Sequence, residues 1–201
     1  MTGTNKIEST TDGHVTGLSN GRGGIIIYTD DGNPATLSID VKSTENNARG
    51  ISASKGHLAN RDIEIVGDAN VTINAVTSAN NQQEAIGILA NPGGVKVLDN
   101  AFLTITAKGA TEDEARGVYL DNVTSRMIVD TTGEVSIDAS GGHDVNCVRL
   151  GNDSSLNPIY LTKAKELTLK WEPAAGRTGG AMLSPKGKDI YIDPDNKLWY
   201  D

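Results

Sequence analysis

Apolar and polar residues alternate in short bursts that return at a fixed interval. Five segments read aliphatic, hydroxyl, aliphatic, polar: Leu37-Ser38-Ile39-Asp40, Val71-Thr72-Ile73-Asn74, Leu103-Thr104-Ile105-Thr106, Val135-Ser136-Ile137-Asp138 and Leu167-Thr168-Leu169-Lys170. Their starts are spaced by 34, 32, 32 and 32 residues. Period-two alternation is the pattern of a strand with one buried face.

A second series follows: Arg49-Gly50-Ile51, Ile86-Gly87-Ile88, Arg116-Gly117-Val118, Asn146-Cys147-Val148 and Gly179-Gly180-Ala181. Each copy has a further inward position two residues on, at Ala53, Ala90, Leu120, Leu150 and Leu183. A third series is Ile63/Ile65, Val95/Val97, Met127/Val129, Ile159/Leu161 and Ile190/Ile192, with steps of 32, 32, 32 and 31. Ile25/Ile27, preceded by Leu18, is an earlier copy.

Three short strands in fixed order, every 32 residues or so, predict one coil with three walls. A single coil cannot bury its inward row, so coils must stack. The expected fold is all-β: a right-handed three-walled parallel β-helix of about five to six coils, a single unit over 1–201. Residues 1–36 read as a partial, irregular first coil with an insertion near 31–33, and 37–192 as regular coils. Residues 193–201 read as the start of a further coil or a C-terminal edge. Helical repeats would need 3.6-periodic apolar faces, and a propeller would need antiparallel hairpins. No amphipathic capping helix covers either end, so the chain reads as a piece of a longer solenoid with Met1 an added start residue.

Stacking assigns an aliphatic ladder to Ile39, Ile73, Ile105, Ile137 and Leu169. Beside it runs a row of mostly small residues, Val41, Ala75, Ala107, Ala139 and Trp171. The glycines at Gly50, Gly87, Gly117 and Gly180 suit a corner that needs positive φ or close backbone approach. Cys147 takes that rank in one coil, as a small buried thiol.

Composition agrees with narrow, turn-rich β structure. Glycine is abundant at 23 of 201 residues, while 2 Trp, 5 Tyr and 1 Phe are few for a globular core. Lys plus Arg is 18 and Asp plus Glu is 26, a formal charge of −8. That balance argues against nucleic acid as a partner. No apolar run is long enough for membrane insertion by this segment, and residues 1–6 are polar, unlike a signal peptide. The single Cys147 excludes an internal disulfide framework and a multi-cysteine zinc site.

Candidate chemistry concentrates where the links are longest. The segments joining first to second strands, 42–48, 76–85, 108–115, 140–145 and 172–178, must stack along one edge. Solenoids carry binding surfaces on such edges. Gln82, Glu84, Glu112, Asp113, Glu114 and Asp144 are the candidate contact residues there. The run Glu112-Asp113-Glu114 reads as solvated; Ca²⁺ would need six to eight oxygens, and no EF-hand or nonapeptide calcium repeat is present. Tyr160 and Tyr191, with Ile128 beside them, form a small apolar stripe on the third wall.

No catalytic constellation emerges. The outward row Asp40, Asn74, Thr106, Asp138 and Lys170 puts its two acids three coils apart, roughly 14 Å at sheet spacing. A glycosidase pair needs roughly 5 to 9.5 Å. Arg49 and Arg116 show no matching row of acids. His14, His57 and His143 fall at three different ranks. The hydroxyl ladder Ser38, Thr72, Thr104, Ser136 and Thr168 lacks the second threonine column of ice-binding solenoids. The reading is therefore no enzyme, no cofactor and no metal.

The segments Leu103-Thr104-Ile105-Thr106-Ala107, then a polar loop, then Ala115-Arg116-Gly117-Val118-Tyr119-Leu120, then Met127-Ile128-Val129, resemble passenger domains of bacterial type V autotransporter adhesins, which are pectin-lyase-like parallel β-helices. The resemblance spans about residues 14–200 and rests on repeat style. It implies an exported segment at the bacterial cell surface. It also implies adhesion to a host or bacterial surface protein or glycan, or self-association. A carbohydrate-binding or carbohydrate-active β-helix is the alternative.

Overall fold

The structure, a computed structural model, describes residues 3–21, 23–29, 34–54, 62–122, 125–151, 159–185, 190–192 and 198–200. Strands come in groups of three. The first coil holds β1 (Gly3–Thr11), β2 (Val15–Asn20) and β3 (Ile25–Ile27). The second holds β4 (Ala35–Ser43), β5 (Ala48–Ser54) and β6 (Ile63–Ile65), and the third β7 (Asn70–Thr77), β8 (Glu84–Asn91) and β9 (Val95–Asp99). The fourth has β10 (Phe102–Lys108), β11 (Glu114–Leu120) and β12 (Met127–Thr131). The fifth has β13 (Glu134–Ser140), β14 (Asp144–Leu150) and β15 (Ile159–Lys163). The last comprises β16 (Glu166–Glu172), the short pieces β17 (Gly179–Gly180) and β18 (Leu183–Ser184), and β19 (Ile190–Ile192). β20 (Leu198–Tyr200) begins the next first-wall strand, at the expected place.

Strands of equal rank pair in parallel. The first sheet runs β1-β4-β7-β10-β13-β16-β20, the second β17-β14-β11-β8-β5-β2 with β18 also on β14, and the third β19-β15-β12-β9-β6-β3. The chain is thus a three-sheet parallel β-solenoid with strands of equal rank about 32 residues apart. Register follows the sequence repeats: Leu103 sits between Val71 and Val135, Ile105 between Ile73 and Ile137, and Met127 between Val95 and Ile159.

The alternation explains the packing. In β4 the buried positions are Ala35, Leu37, Ile39, Val41 and Ser43, with the residues between them facing outward. Ile39, Ile73, Ile105, Ile137 and Leu169 stack as one ladder, each no more than 1% exposed. Each such side chain contributes about 1.5–3 kcal/mol. Trp171 is only partly buried and donates its indole N–H to the Val145 carbonyl at 2.7 Å.

Glycine solves a collision between walls. A Cβ on Gly87 would lie 2.3 Å from Ile105 Cγ2 and 2.6 Å from the Gly117 carbonyl oxygen. Gly50 against Ile73, Gly117 against Ile137, and Gly17 against Ile39 repeat the arrangement. Close approach is the reason for these glycines. Among those singled out in the sequence, positive φ occurs only at Gly180.

Two features go beyond the sequence reading. First, β1 pairs with β4 from Gly3 to Thr11, so the first coil has a strand in each sheet, while the expected insertion near 31–33 lies outside the described residues. Second, the register of the last second-wall strand is shifted. Gly180 stands opposite Val145, and Leu183 opposite Val148. Met182, not Gly180, faces Cys147, and its carbonyl accepts from the Cys147 N–H at 3.1 Å. Left-handed φ values redirect the backbone at Gly176 (78°), in the loop before it, and at Gly180 (91°), within β17.

Candidate functional site

The links between first and second walls stack along one edge, and one carboxylate organises its centre. Asn80 and Gln82 have φ of 56° and 68°, which turns successive N–H groups of the 78–83 loop toward one point. Asp113, from the next coil, fills that point. Its Oδ1 accepts from the N–H groups of Asn81 at 3.0 Å and Gln83 at 3.2 Å. Its Oδ2 accepts from Asn80 at 3.1 Å and Ala110 at 3.2 Å, with the Thr77 hydroxyl 3.3 Å away. Asp113 is fully buried. The expectation of a solvated acidic run fails here: a carboxylate ringed by backbone donors gains more from them than from water. Asp113 is an internal staple and offers no contact surface.

Its neighbours point elsewhere. Glu112 pairs with Arg177, and its N–H donates to Asn80 Oδ1 at 3.0 Å. The His143 N–H donates to the Asp113 carbonyl at 2.8 Å, tying the next coil to the same loop. Gln82 is exposed at the loop tip, as are Asn80, Asn81 and Thr111.

The remaining acids form a row that was not foreseen. Glu84, Glu114 and Asp144 open β8, β11 and β14 and lie directly beside one another across the three coils. This corrects the reading that the arginines lack matching acids. Arg116 reaches both Glu84 and Glu114, and lies 4.0 Å from Asp144. Arg49 lies 3.4 Å from Glu84, and Arg149 pairs with Asp144. Arg116 is only 4% exposed, and its guanidinium sits 4.4 Å from the centre of the Tyr119 ring. Burial draws the Arg116 pKa down, while Glu84 works against that shift. For Asp144, burial alone would raise the pKa; Arg149, Asn146 and Arg116 outweigh it and hold the carboxyl below its usual range.

The signal for this row was present but faint. Glu114 and Arg116, or Asp144 and Asn146, are two residues apart and so share the outer face of one strand. The Asn146 amide donates to Asp144 at 3.0 Å. The cross-coil partners lie about a coil apart in sequence, so no local motif links them.

The two tyrosines belong to another surface. Tyr160 and Tyr191 stack on the third sheet, centroids 5.1 Å apart and planes at 11°, with Ile128 next to Tyr160 in the row. In the same sheet Lys96 bridges Asp62 at 2.6 Å and Glu64 at 2.7 Å.

Cys147 is buried, and its thiol donates to the Lys170 carbonyl at 3.0 Å. Burial pushes its pKa up to about 12. His14 and His143 are four coils apart, and His57 lies outside the described residues. Among the described residues no three His, Cys, Asp or Glu side chains are grouped to hold a metal ion, and no helix is long and apolar enough to cross a membrane.

No family model, curated protein or solved structure matches this chain. The class that the fold defines is the parallel three-sheet β-solenoid.

Proposed function

We propose that the chain is a non-enzymatic adhesive segment of a bacterial secreted or cell-surface protein, of the autotransporter-passenger type. It binds a surface protein or glycan along the stacked loop edge. The observation that carries this reading is the Asp113 staple. It pins the backbone of the 78–83 loop from beneath while leaving Asn80, Asn81 and Gln82 exposed at the tip. A polar edge held rigid before contact loses little entropy on binding. The acids of the edge are engaged in ion pairs or, for Asp113, in backbone hydrogen bonds, which favours contact over proton transfer.

The test is adhesion. Beads coated with the chain are offered to a glycan array and to epithelial and bacterial cells. Asn81→Arg with Thr111→Arg places charge on the edge and should abolish capture, while Thr72→Arg on the first wall should leave it intact. Equal capture by both variants would exclude the loop edge, and no capture by the unaltered chain would exclude adhesion.

One observation favours a second reading, a carbohydrate-active solenoid. Glu84 and Glu114 stand on adjacent coils, roughly 4.8 Å apart by strand spacing. A retaining enzyme needs its two carboxyl groups roughly 5 Å apart, and neighbouring strands are close enough to present two side chains at such a separation. Release of reducing ends from a panel of neutral and uronic polysaccharides, lost in Glu84→Gln and Glu114→Gln, would establish it. Arg116 argues the other way, since it engages both acids in ion pairs.

A further inference from the structure

Among the described residues, three that are not glycine carry a left-handed φ: Asn80 (56°), Gln82 (68°) and Asp99 (62°). A Cβ makes this conformation sterically costly, so glycine would sit more easily at each position. Two of the three use their side chains inside the fold. Asn80 Oδ1 accepts from the Glu112 N–H at 3.0 Å, and Asp99 Oδ2 accepts from the Gly67 N–H at 3.1 Å. The Gln82 side chain is exposed and has no hydrogen-bond partner among the described residues. Asp113 holds the backbone N–H groups on either side of it, at Asn81 and Gln83, and needs nothing from the Gln82 amide. The loop carries a strained side chain that the fold does not use. A residue held in a costly conformation with no internal task points to a ligand.

The surroundings restrict what that ligand is. The nearby charges are already paired within the protein: Glu112 with Arg177, Glu84 and Glu114 with Arg116, and Asp144 with Arg149. Glu45, exposed on the neighbouring loop, stands outside these pairs and repels anions. The large apolar side chains that stand open, Ile26, Tyr28, Tyr191 and Ile192, lie on or beside strands of the third sheet, away from these loops. A protein partner draws most of its affinity from aromatic and apolar anchors, and the described part of the edge presents none. It presents neutral hydrogen-bonding groups instead. The Gln82 amide has a donor side and an acceptor side. The Thr111 hydroxyl on the adjoining loop is likewise exposed and without a partner among the described residues.

We propose that the loop edge binds a neutral glycan, a hexose or N-acetylhexosamine polymer without carboxylate or sulfate groups, and that Gln82 is its principal contact. The amide donates to one hydroxyl of a sugar and accepts from the next. This rests on the reading of the edge as the contact surface, and narrows its partner from protein or glycan to uncharged glycan. The loops repeat at the strand spacing, roughly 4.8 Å. A linear polymer laid along the edge therefore meets neighbouring loops in turn, and its weak contacts reinforce one another through effective concentration.

The experiment is capture of the bead-bound chain on glucan, mannan and N-acetylglucosamine oligomers arrayed beside sialylated, uronic and sulfated ones, with Gln82→Gly as the variant. The unaltered chain should bind the neutral oligomers, longer ones more tightly, with little change between low and physiological salt. Gln82→Gly should lose about tenfold or more in affinity, while its thermal midpoint stays level or rises because glycine relieves the left-handed strain. A merely structural glutamine would give the reverse, a lower midpoint with unchanged capture, and would overturn the proposal. So would an absence of capture by the neutral oligomers, or cell capture that protease treatment of the cells removes and periodate oxidation of their sugars does not. Those two results leave the edge standing as an adhesive surface. Capture that survives Asn81→Arg with Thr111→Arg would instead remove the edge reading itself, and the proposal with it.

Discussion

Gly87 on β8 faces Ile105 on β10 so closely that no side chain fits between them. An added methyl would come within 2.3 Å of the Ile105 Cγ2 and 2.6 Å of the Gly117 backbone oxygen. The isoleucine could rotate, but the carbonyl belongs to the next rung and is fixed by the sheet. Gly87→Ala should therefore destabilise the solenoid by about 1–3 kcal/mol, the range for overpacking. Gly13→Ala is the comparison: its nearest neighbour would be the Thr11 hydroxyl at an ordinary 3.7 Å, and its effect should be within about 0.5 kcal/mol. Urea midpoints for the two variants check this.

Removing the Asp113 carboxylate should loosen one loop more than the whole chain. Asp113→Ala deprives the N–H groups of Asn80, Asn81, Gln83 and Ala110 of their acceptor. Each buried N–H left unmade costs about 1–3 kcal/mol, reduced where water can enter. Hydrogen exchange should show these four amides losing protection while Ile73 and Ile105 in the adjacent strands keep theirs.

Acid should weaken the structure through two carboxylates. Asp62 and Asp144 are both held below the ordinary carboxylate value, with burial outweighed by Lys96 and the Gly94 N–H in one case and by Arg149, Asn146 and Arg116 in the other. A folded pKa below the unfolded one means that the unfolded chain binds protons first. The stabilisation is then complete above the unfolded value of about 3.9 and is lost as pH falls through the folded value. The thermal midpoint should drop below about pH 4, and Asp144→Asn should flatten that drop. A profile unchanged in Asp144→Asn would show that the residue is not coupled to folding.

Cys147 should behave as a core atom. With its pKa near 12 and its thiol on the Lys170 carbonyl, it should not react with a disulfide reagent at neutral pH until the chain is unfolded in denaturant. Rapid labelling of the native chain would contradict its placement.

What the residue pattern disclosed, and what it hid, follows from where the partners lie. The three walls are legible because inward positions such as Leu103, Ile105 and Ala107 alternate with polar ones and recur a coil later. β1 is hidden because the positions aligned with Leu37, Ile39 and Val41 are Asn5, Ile7 and Ser9, a single apolar residue among them. The shift at Gly179–Gly180 is hidden because the dipeptide mimics the recurring corner glycine, while the loop before it changes the count. At the candidate site the acids could be named, but not their roles. Asp113 and Glu112 are neighbours in the chain, yet one is buried beneath a loop from the previous coil and the other pairs with Arg177 two coils on. Sequence adjacency carries no information about which way each turns.

The most direct test of the whole arrangement is a pair of substitutions one residue apart. Ile105 is fully buried in the aliphatic ladder and Thr104 faces solvent. Ile105→Asp should cost more than about 4 kcal/mol or prevent folding, since it buries an unpaired charge. Thr104→Asp should cost less than about 1 kcal/mol. Thermal midpoints measured side by side give the answer. A large loss for the first and a small one for the second is the outcome the solenoid requires. Equal losses, or the reverse order, would contradict the inward and outward faces on which the coil and the loop edge both depend.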